Sequence, residues 1–299
     1  MIDPLSQIIS LLGPRTVFAK GISGAGRWAV RYSEFGRPSF CTVIDGSCRL
    51  AVDGRDPITL VAGDFVLLPT TPGFTISGFD PMQPTFIDPK MTPAPIEEVR
   101  HGNPDGNPDV RLLGGYFDFG SPDAGLLVSL LPPVVHLRGA ERLSVLVGLV
   151  REEANEQRPG RDLILARLVE VLLIETLRAA QSDDAPPGML RGMADPRVAA
   201  ALKCIHSEPA RAWTMSGLAS EAALSRSAFF DRFIRVVGVT PTEYLLAWRM
   251  ALAKDLLRKR TSVSEVAQLV GYGSASSFST AFARHTGQSP GRYSRAVPR

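Results

Sequence analysis

Residues 215–233 read MSGLASEAALSRSAFFDRF, and residues 263–282 read VSEVAQLVGYGSASSFSTAF. In each stretch a short apolar-periodic segment is interrupted and then resumes with two phenylalanines four residues apart, which predicts a helix, a tight turn and a second helix. The two stretches belong to one internal repeat with a shift of 49 positions, and such a period indicates two copies of a single unit. The recurring residues are Ser225, Phe233, Gly238, Pro241 and Tyr244 in the first copy and Ser274, Phe282, Gly287, Pro290 and Tyr293 in the second.

The repeat lies in the basic part of the chain. Residues 195–299 hold 15 Lys+Arg and 7 Asp+Glu, a net charge of +8, whereas residues 1–194 have a net charge of −5. A basic helical module predicts a polyanionic partner. Because two helix-turn-helix units in tandem can place two helices in successive major grooves, we expect that partner to be double-stranded DNA.

The second helix of each unit is the candidate reading helix, from Ser225 to about Val236 and from Ser274 to about His285. The phenylalanine pairs face the core in this arrangement. The opposite faces carry small residues for close approach, polar residues for base edges and basic residues for phosphates. The candidate DNA-binding residues are Arg226, Ser227, Phe230, Asp231, Arg232, Ala275, Ser276, Ser277, Thr280 and Arg284.

Five segments make residues 195–295 resemble the AraC/XylS family of bacterial transcription regulators. The segments are WTMSGLA (213–219), LSRSAF (224–229), VGVTPTEYL (237–245), WRMALA (248–253) and VGYGSASSFSTAF (270–282). The resemblance implies seven helices with two helix-turn-helix units, binding to promoter DNA and, more often than not, activation of transcription.

Two positions depart from the family pattern, in which arginine is common at the positions of Asp231 and Thr280. Arginine to guanine is the commonest specific base contact. We therefore expect this protein to recognise bases in a different way and to need a dimer or RNA polymerase for stable binding to DNA. Asp231 has two interpretations. It accepts a hydrogen bond from a cytosine amino group, or it has a structural role such as pairing with Arg235 one turn later.

The N-terminal half has the sequence pattern of β structure. Short β-branched and aromatic runs alternate with Gly, Pro and Asp turns over residues 15–90, and Asp45-Gly46 predicts a two-residue hairpin. A further strand is expected at Val110–Phe119, after a Pro/Gly/Asn-rich loop over residues 88–110. The segment 20–70 is similar to the cupin-type sensing domain of one branch of the family, chiefly through GSCRL (46–50) and AGDFVLLP (62–69).

A small β-barrel can hold a ligand or be filled by its own side chains, and both alternatives stay open. The candidate effector pocket is apolar and consists of Trp28, Phe40, Phe65 and Phe74. Residues 1–194 contain only two histidines, His101 and His136, and these are too few ligands for a metal-dependent cupin. We therefore expect no metal, no cofactor and no enzyme activity.

The two cysteines of the predicted hairpin are candidates for redox sensing. With Asp45-Gly46 as the turn, Cys41 lies diagonal to Cys48 on one face, at roughly 7–8 Å, near the outer limit for a disulfide. Two buried, inert thiols are the alternative, because free cysteine is among the most buried residue types.

Two helices are predicted at 140–157 and 161–181, and the second is apolar on nearly every side. Such a helix packs on the barrel, or one face of it pairs with a second copy of the chain. The candidate dimerisation residues are Leu165, Leu168 and Leu172.

The sequence thus predicts a multidomain α+β protein. A cupin-like sensor over residues 1–138 precedes dimerisation helices at 139–181, a linker at 182–194 and an all-α domain with two helix-turn-helix units at 195–299. We expect a cytoplasmic homodimer that binds promoter DNA and regulates transcription under the control of a small molecule or of thiol oxidation. No membrane partner is expected. Two rival functions are a constitutive DNA binder whose barrel only dimerises, and a cupin enzyme with a DNA-targeting domain.

Overall fold

The computed structural model describes residues 3–88, 98–119, 131–156, 158–180 and 187–296. The strands in this part of the chain are β1 (Pro14–Ala25), β2 (Ala29–Tyr32), β3 (Ser39–Val52), β4 (Ile58–Val61), β5 (Phe65–Leu68), β6 (Phe74–Ser77), β7 (Thr85–Ile87), β8 (Glu98–Gly102), β9 (Val110–Phe119) and β10 (Val135–Leu137). The helices are α1 (Pro4–Leu12), α2 (Glu141–Asn155), α3 (Arg161–Ala179), α4 (Met189–Ala194), α5 (Pro196–Ser207), α6 (Met215–Glu221), α7 (Arg226–Val237), α8 (Pro241–Arg258), α9 (Val263–Leu269), α10 (Ala275–Thr286) and α11 (Pro290–Ala296).

Strand β3 connects the two halves of a curled, cupin-like sheet. Its first half pairs with β5 and β9, and its second half pairs with β4 and β6. The strand passes from one half to the other through an irregularity between Val43 and Asp45 and through Gly46, whose φ is 74°. The predicted hairpin at Asp45-Gly46 is therefore wrong. An Asp-Gly pair supplies the positive φ that a bulge needs as well as the one that a hairpin turn needs.

The order of strands around the sheet is β7-β2-β6-β3-β9-β1-β8, with β4 and β5 also paired to β3 and β10 paired to β5. The inner face is filled by an apolar cluster that includes Trp28, Val43, Cys48 and Leu50. Strand β8 lies inside the segment that the sequence predicted as an exposed loop. It is held by parallel pairing with β1, a non-local partner that local composition does not reveal.

Helices α2 and α3 cover the outer face of the sheet over β1, and α2 also contacts β3 and β9. The hydroxyls of Thr42 in β3 and Ser144 in α2 lie 2.8 Å apart and link the two layers. Of the three candidate dimerisation residues, Leu165 and Leu172 are buried in this unit and Leu168 is partly buried. The helix is apolar on several sides because it packs within its own unit, as one of the two sequence-based alternatives stated.

The C-terminal half is a separate helical unit in which α5 to α11 supply the seven expected helices. Helix α8 is shared by two cores. Its N-terminal residue Tyr244 contacts the Phe233 ring at 5.9 Å, whereas Met250 and Leu257 belong to the core of the second unit. One continuous helix thereby joins the two repeats. Among the described residues no helix combines the length and apolar character needed to cross a bilayer.

The first helix of the chain belongs to the C-terminal unit and not to the sheet. Helix α1 contacts α5 and α8, and it buries Leu5, Ile8, Ile9 and Leu12 almost completely. The predicted sensor boundary at residue 1 therefore differs from the observed grouping, in which the sheet unit begins at Gly13.

The predicted linker also differs from the structure over part of its length. Residues 182–186 lie outside the described residues, but 189–194 form helix α4. Met189 and Leu190 at its start are buried, and α4 packs against α5 and α7. This segment is therefore part of the helical unit.

Candidate nucleic-acid interface

The two candidate reading helices, α7 and α10, begin and end in the same way. Ser225 caps α7 by accepting a hydrogen bond from the Ala228 amide at 3.3 Å, and Ser274 caps α10 by accepting one from the Ser277 amide at 3.1 Å. Each helix ends at a glycine in the left-handed conformation, where the absence of a Cβ removes strain. The repeat in the sequence is therefore a repeat of helix boundaries.

The turns before the two helices also match. The left-handed residue of the turn is Ala223 in the first unit, with φ of 50°, and Gly271 in the second, with φ of 79°. A Cβ at Gly271 would lie 2.6 Å from the carbonyl oxygen of Ala210, so only glycine fits there. These turn residues are 48 positions apart, and the additional Gly273 brings the shift to the 49 positions seen from Ser225 onward.

The inner faces of both helices carry the predicted aromatic pairs. The rings of Phe229 and Phe233 are 5.6 Å apart between centroids, and those of Phe278 and Phe282 are 5.5 Å apart. All four side chains are fully buried. Since the buried face of each helix is settled by these pairs, the residues between them are turned outward.

The outward face carries most of the candidate DNA-binding residues. Two hydroxyls on α10 have local partners, because Ser277 Oγ donates to the carbonyl of Ser274 and Thr280 Oγ1 donates to the carbonyl of Ser276. Ala275 is partly exposed. The exposed candidates are Arg226, Ser227, Phe230, Asp231, Ser276, Ser277, Thr280 and Arg284.

Arg232 is the candidate that has a different role in the structure. Its Nε lies 2.8 Å from Asp195 Oδ2, and the other carboxylate oxygen of Asp195 accepts hydrogen bonds from the amides of Arg197 and Val198 at the start of α5. These contacts hold the pKa of the Asp195 carboxyl below its usual range, against the opposing effect of its burial. Arg232 therefore links α7 to the cap of α5.

Asp231 does not form the ion pair with Arg235 that one of its two interpretations predicted. No ion pair joins Asp231 to Arg235, or to any other residue in the described part of the chain, and its side chain is exposed. An unpaired carboxylate thus lies on the outward face of the first reading helix.

The four residues of the candidate effector pocket fall on two different faces of the sheet. Trp28 belongs to the inner cluster and Phe74 packs against it, stacked on Tyr32 at 4.8 Å. Phe40 and Phe65 stack on each other at 6.4 Å. They share the face of Thr42, which contacts α2, because directly paired residues of neighbouring strands point to the same side.

Cys41 and Cys48 are free thiols on the same strand, not on two arms of a hairpin. Both belong to the inner face, because the irregularity before Gly46 reverses the alternation of side chains between them. The pKa of each thiol is raised to about 12, mainly by burial, with smaller contributions from Cys48 to Cys41 and from the Asp64 carboxylate to both. The sequence could not show this arrangement, since it depends on the corner in β3.

The two histidines of this half do not assemble a metal site. His136 Nε2 lies 3.0 Å from the buried Asp64 carboxylate, whereas His101 stacks on Trp28 at 6.0 Å. Within the ranges that the structure describes, no group of three or more His, Cys, Asp and Glu side chains is arranged to hold a metal ion.

A groove that the sequence did not predict lies on the outer face of the sheet unit, between β8, β9 and α2. Its walls include Arg100, Arg111 and Arg151. These arginines are far apart along the chain, and only the strand pairing and the helix layer bring them to one place.

Comparison with known proteins identifies both halves. Residues 3–181 match a family described as cupin, and residues 218–296 match one described as helix-turn-helix domain. AraC-like transcription regulators of Streptomyces lividans and Streptomyces antibioticus are each 38% identical to this chain, over 97% of this chain and 97% and 98% of theirs. The RCS-specific HTH-type transcriptional activator RclR of Escherichia coli is 25% identical over 99% of this chain and 98% of its own. With its cupin-type sheet, its tandem helix-turn-helix units and these full-length relatives, the chain belongs to the family of AraC-like transcription regulators.

Proposed function

We propose that this regulator reads promoter DNA with α7 and α10 in successive major grooves. The observation that carries the proposal is the match between the two units in their caps, turns and buried aromatic pairs, with polar residues outward on both. Helix α8 has 18 residues and is about 27 Å long at 1.5 Å per residue. A continuous helix of this length can hold two reading helices at a constant separation.

The outward residues support a division of roles. Arg226 and Arg284 are exposed cations that would contact phosphates, whereas Ser227 and Ser276 are small enough to reach base edges. Ser277 contributes less in this proposal, because its hydroxyl is already bonded to the cap of α10. Arg232 is likewise left out because it pairs with Asp195.

The experiment is footprinting of DNA upstream of the gene and its neighbours, at two salt concentrations. The expected result is protection of two adjacent half-turns on one face of the duplex. Arg226→Ala or Arg284→Ala should weaken binding to all DNA sequences alike and reduce the salt dependence of the affinity. Ser227→Ala or Ser276→Ala should lower the binding free energy by ~1–3 kcal/mol only for operators with particular base pairs. Unchanged operator affinity in all four variants would refute the assignment of the reading helices.

We infer that the N-terminal unit makes this binding depend on a small molecule, and that the protein regulates without catalysing a reaction. Thiol oxidation is less well supported as the signal. The thiolate is the reactive form, and thiols with a pKa of about 12 are almost entirely protonated at neutral pH. The relative named as an RCS-specific activator is the observation that favours the redox alternative and activation.

A single set of footprints separates these alternatives. Under the proposal, a Cys41→Ser, Cys48→Ser double variant binds its operator like the wild type, with or without hypochlorite. If hypochlorite changes wild-type protection and the double variant does not respond, thiol sensing replaces the small-molecule proposal. A constitutive DNA binder would respond to neither oxidant nor any small molecule.

We also propose that the protein is a homodimer that recruits RNA polymerase, and that the exposed apolar side chains of α2 and α3 form the dimer contact. Val145, Leu149, Leu163, Ile164 and Val171 are exposed there, whereas Leu165 and Leu172 are core residues. Sedimentation equilibrium tests this surface. Ile164→Asp should dissociate the dimer, and Arg55→Asp, at an exposed position in the turn after β3 and outside α2 and α3, should not. Equal dimerisation of all three proteins would contradict the proposal.

A further inference from the structure

The groove on the outer face of the sheet unit is large enough for a small ligand. Its volume is about 770 Å³, within the usual range for ligand sites. One wall is α2, which contributes Ser144, Gly148 and Arg151 at successive turns of one helix face. Gly148 leaves this wall open, since a Cβ there would meet nothing within 4 Å.

The opposite wall places two arginines in one row across three neighbouring strands. Ser23 of β1 is paired directly with Arg100 of β8 on one side and with Arg111 of β9 on the other. Directly paired residues point to the same face of a sheet, and neighbouring strands lie about 4.8 Å apart. The Cα atoms of Arg100 and Arg111 are therefore about 10 Å apart, with Ser23 between them.

The polar groups of this row are incompletely paired. Ser23 is fully buried and its hydroxyl has no hydrogen-bond partner among the described residues. Arg111 and Arg151 make no ion pair or side-chain hydrogen bond within that same part of the chain, although Asp45 lies across the strand from Arg111. Arg100 donates one hydrogen bond to the carbonyl of Gly106. Ser23 is not part of the groove lining, but the guanidinium groups of Arg111 and Arg151 line the groove without partners among the described residues and are suited to an anion.

The rest of the groove limits the kind of anion. Ile44 and Leu113 supply an apolar part of the lining, which suits a hydrocarbon body. Two carboxylates, Glu98 and Asp105, also line the groove and would repel a second negative charge. The lining therefore favours one acidic group on an apolar body over an inorganic polyanion.

We propose that this groove binds a small monocarboxylic acid, with its carboxylate between Arg111 and Arg151 and its apolar part on Ile44 and Leu113. The assignment of this groove as the effector site rests on the small-molecule control proposed above. Its assignment as a binding site rests only on the residues that line it.

Isothermal titration of the full chain with benzoate and octanoate tests the proposal, with benzamide and octanamide as neutral analogues. At least one of the two acids should bind saturably, and its amide at least tenfold more weakly. Arg111→Gln and Arg151→Gln should each lower the affinity for the acid at least tenfold. Arg55→Gln is the matched control, because Arg55 is exposed in the turn after β3 and away from the groove.

A variant that fills the groove gives a test independent of charge. Gly148→Leu should abolish binding by occupying the open space, and it should not impair folding because leucine favours a helix more than glycine does. The proposal is overturned if neither acid binds the wild type, if the amides bind equally well, or if Arg111→Gln, Arg151→Gln and Gly148→Leu all bind like the wild type.

Operator footprinting with the same acids separates the two proposals. Acid binding that needs Arg111 and Arg151 but leaves the footprint unchanged supports the site and contradicts its regulatory use. A footprint that responds to an acid in the wild type and equally in Arg111→Gln and Arg151→Gln supports small-molecule control and contradicts this site.

Discussion

If α7 lies in a major groove as proposed, single side chains decide how closely it approaches the phosphate backbone, and Asp231 is the clearest case. Its carboxylate is exposed and has no partner among the described residues. An unpaired negative charge near phosphates opposes binding, and it is favourable only where a cytosine amino group donates to it. The two effects have opposite consequences for a neutral variant.

Asp231→Asn should therefore raise the affinity for all duplexes several-fold, because it removes repulsion from phosphates without changing the size of the side chain. Gel-shift titration with the operator and with a random duplex measures the effect. Glu265→Gln, at the start of α9, controls for net charge. A loss of affinity confined to operators with one particular C·G pair would instead assign Asp231 to direct readout.

His206 is a buried residue that makes the helical unit sensitive to acid. Its Nδ1 lies 3.1 Å from Gln7 Oε1 and its Nε2 lies 2.9 Å from the Tyr244 hydroxyl, so the neutral ring is bonded at both nitrogens. Burial lowers the pKa of His206 to about 3. Since the unfolded chain binds a proton near pH 6.5, this group's contribution to stability is complete above pH 6.5 and is lost as the pH falls towards 3.

We expect the free energy of unfolding of the helical unit to fall by about 2 kcal/mol between pH 7 and pH 5 through His206 alone. Urea unfolding followed by tryptophan fluorescence at both pH values measures it. His206→Gln cannot be protonated and should lose most of that difference. A variant with the same pH dependence as the wild type would show that other groups cause the acid sensitivity.

At the scale of elements, the repeat is a pair of equivalent helices with different surfaces. The caps of α7 and α10 and their phenylalanine pairs correspond one to one. Their outward faces differ, because α7 carries Arg226, Asp231 and Arg235, whereas α10 has no charged residue before Arg284. The two units therefore share an architecture and differ in how they would contact DNA.

Two neighbouring serines of α10 should separate folding from DNA binding. Ser274→Ala removes the side-chain cap and should lower the free energy of unfolding by about 1 kcal/mol. Ser276→Ala lies at an exposed position without a capping role and should change stability by less than about 0.5 kcal/mol while weakening operator binding. Chemical denaturation and gel shifts of both variants test the pair. Equal loss of stability in the two variants would contradict the assignment of the cap.

At the scale of the whole molecule, the N-terminal segment is part of the structure that carries the reading helices. Helix α1 inserts Ile8 and Ile9 into the helical unit, where both are essentially unexposed, and its Gln7 contacts His206. Fully burying an aliphatic side chain stabilises by about 1.5–3 kcal/mol. The C-terminal unit is therefore completed by residues nearly 200 positions earlier in the chain.

Ile8→Asp should lower the melting temperature of the helical unit strongly, because it places a charge in an apolar site. Ser10→Asp adds the same charge at an exposed position of α1 and should have little effect. Differential scanning calorimetry of the full chain distinguishes the two variants. If both variants melt like the wild type, α1 does not contribute to the stability of this unit.

The sequence by itself determined whatever depends on local pattern. Capping residues, glycines at helix ends and the phenylalanine pairs of Phe229, Phe233, Phe278 and Phe282 located helices α7 and α10, since helix boundaries are encoded within a few neighbouring residues. The strand at Val110–Phe119 was also predicted.

Only the tertiary structure decided what depends on partners distant in the chain. The corner at Gly46 reverses the alternation of β3, the pairing of β8 with β1 aligns Arg100 with Arg111, and the docking of α1 buries His206. Each depends on strand register or helix packing between segments separated by tens to hundreds of residues. The free energy of such contacts comes from surfaces that exist only after folding, so no local pattern contains it.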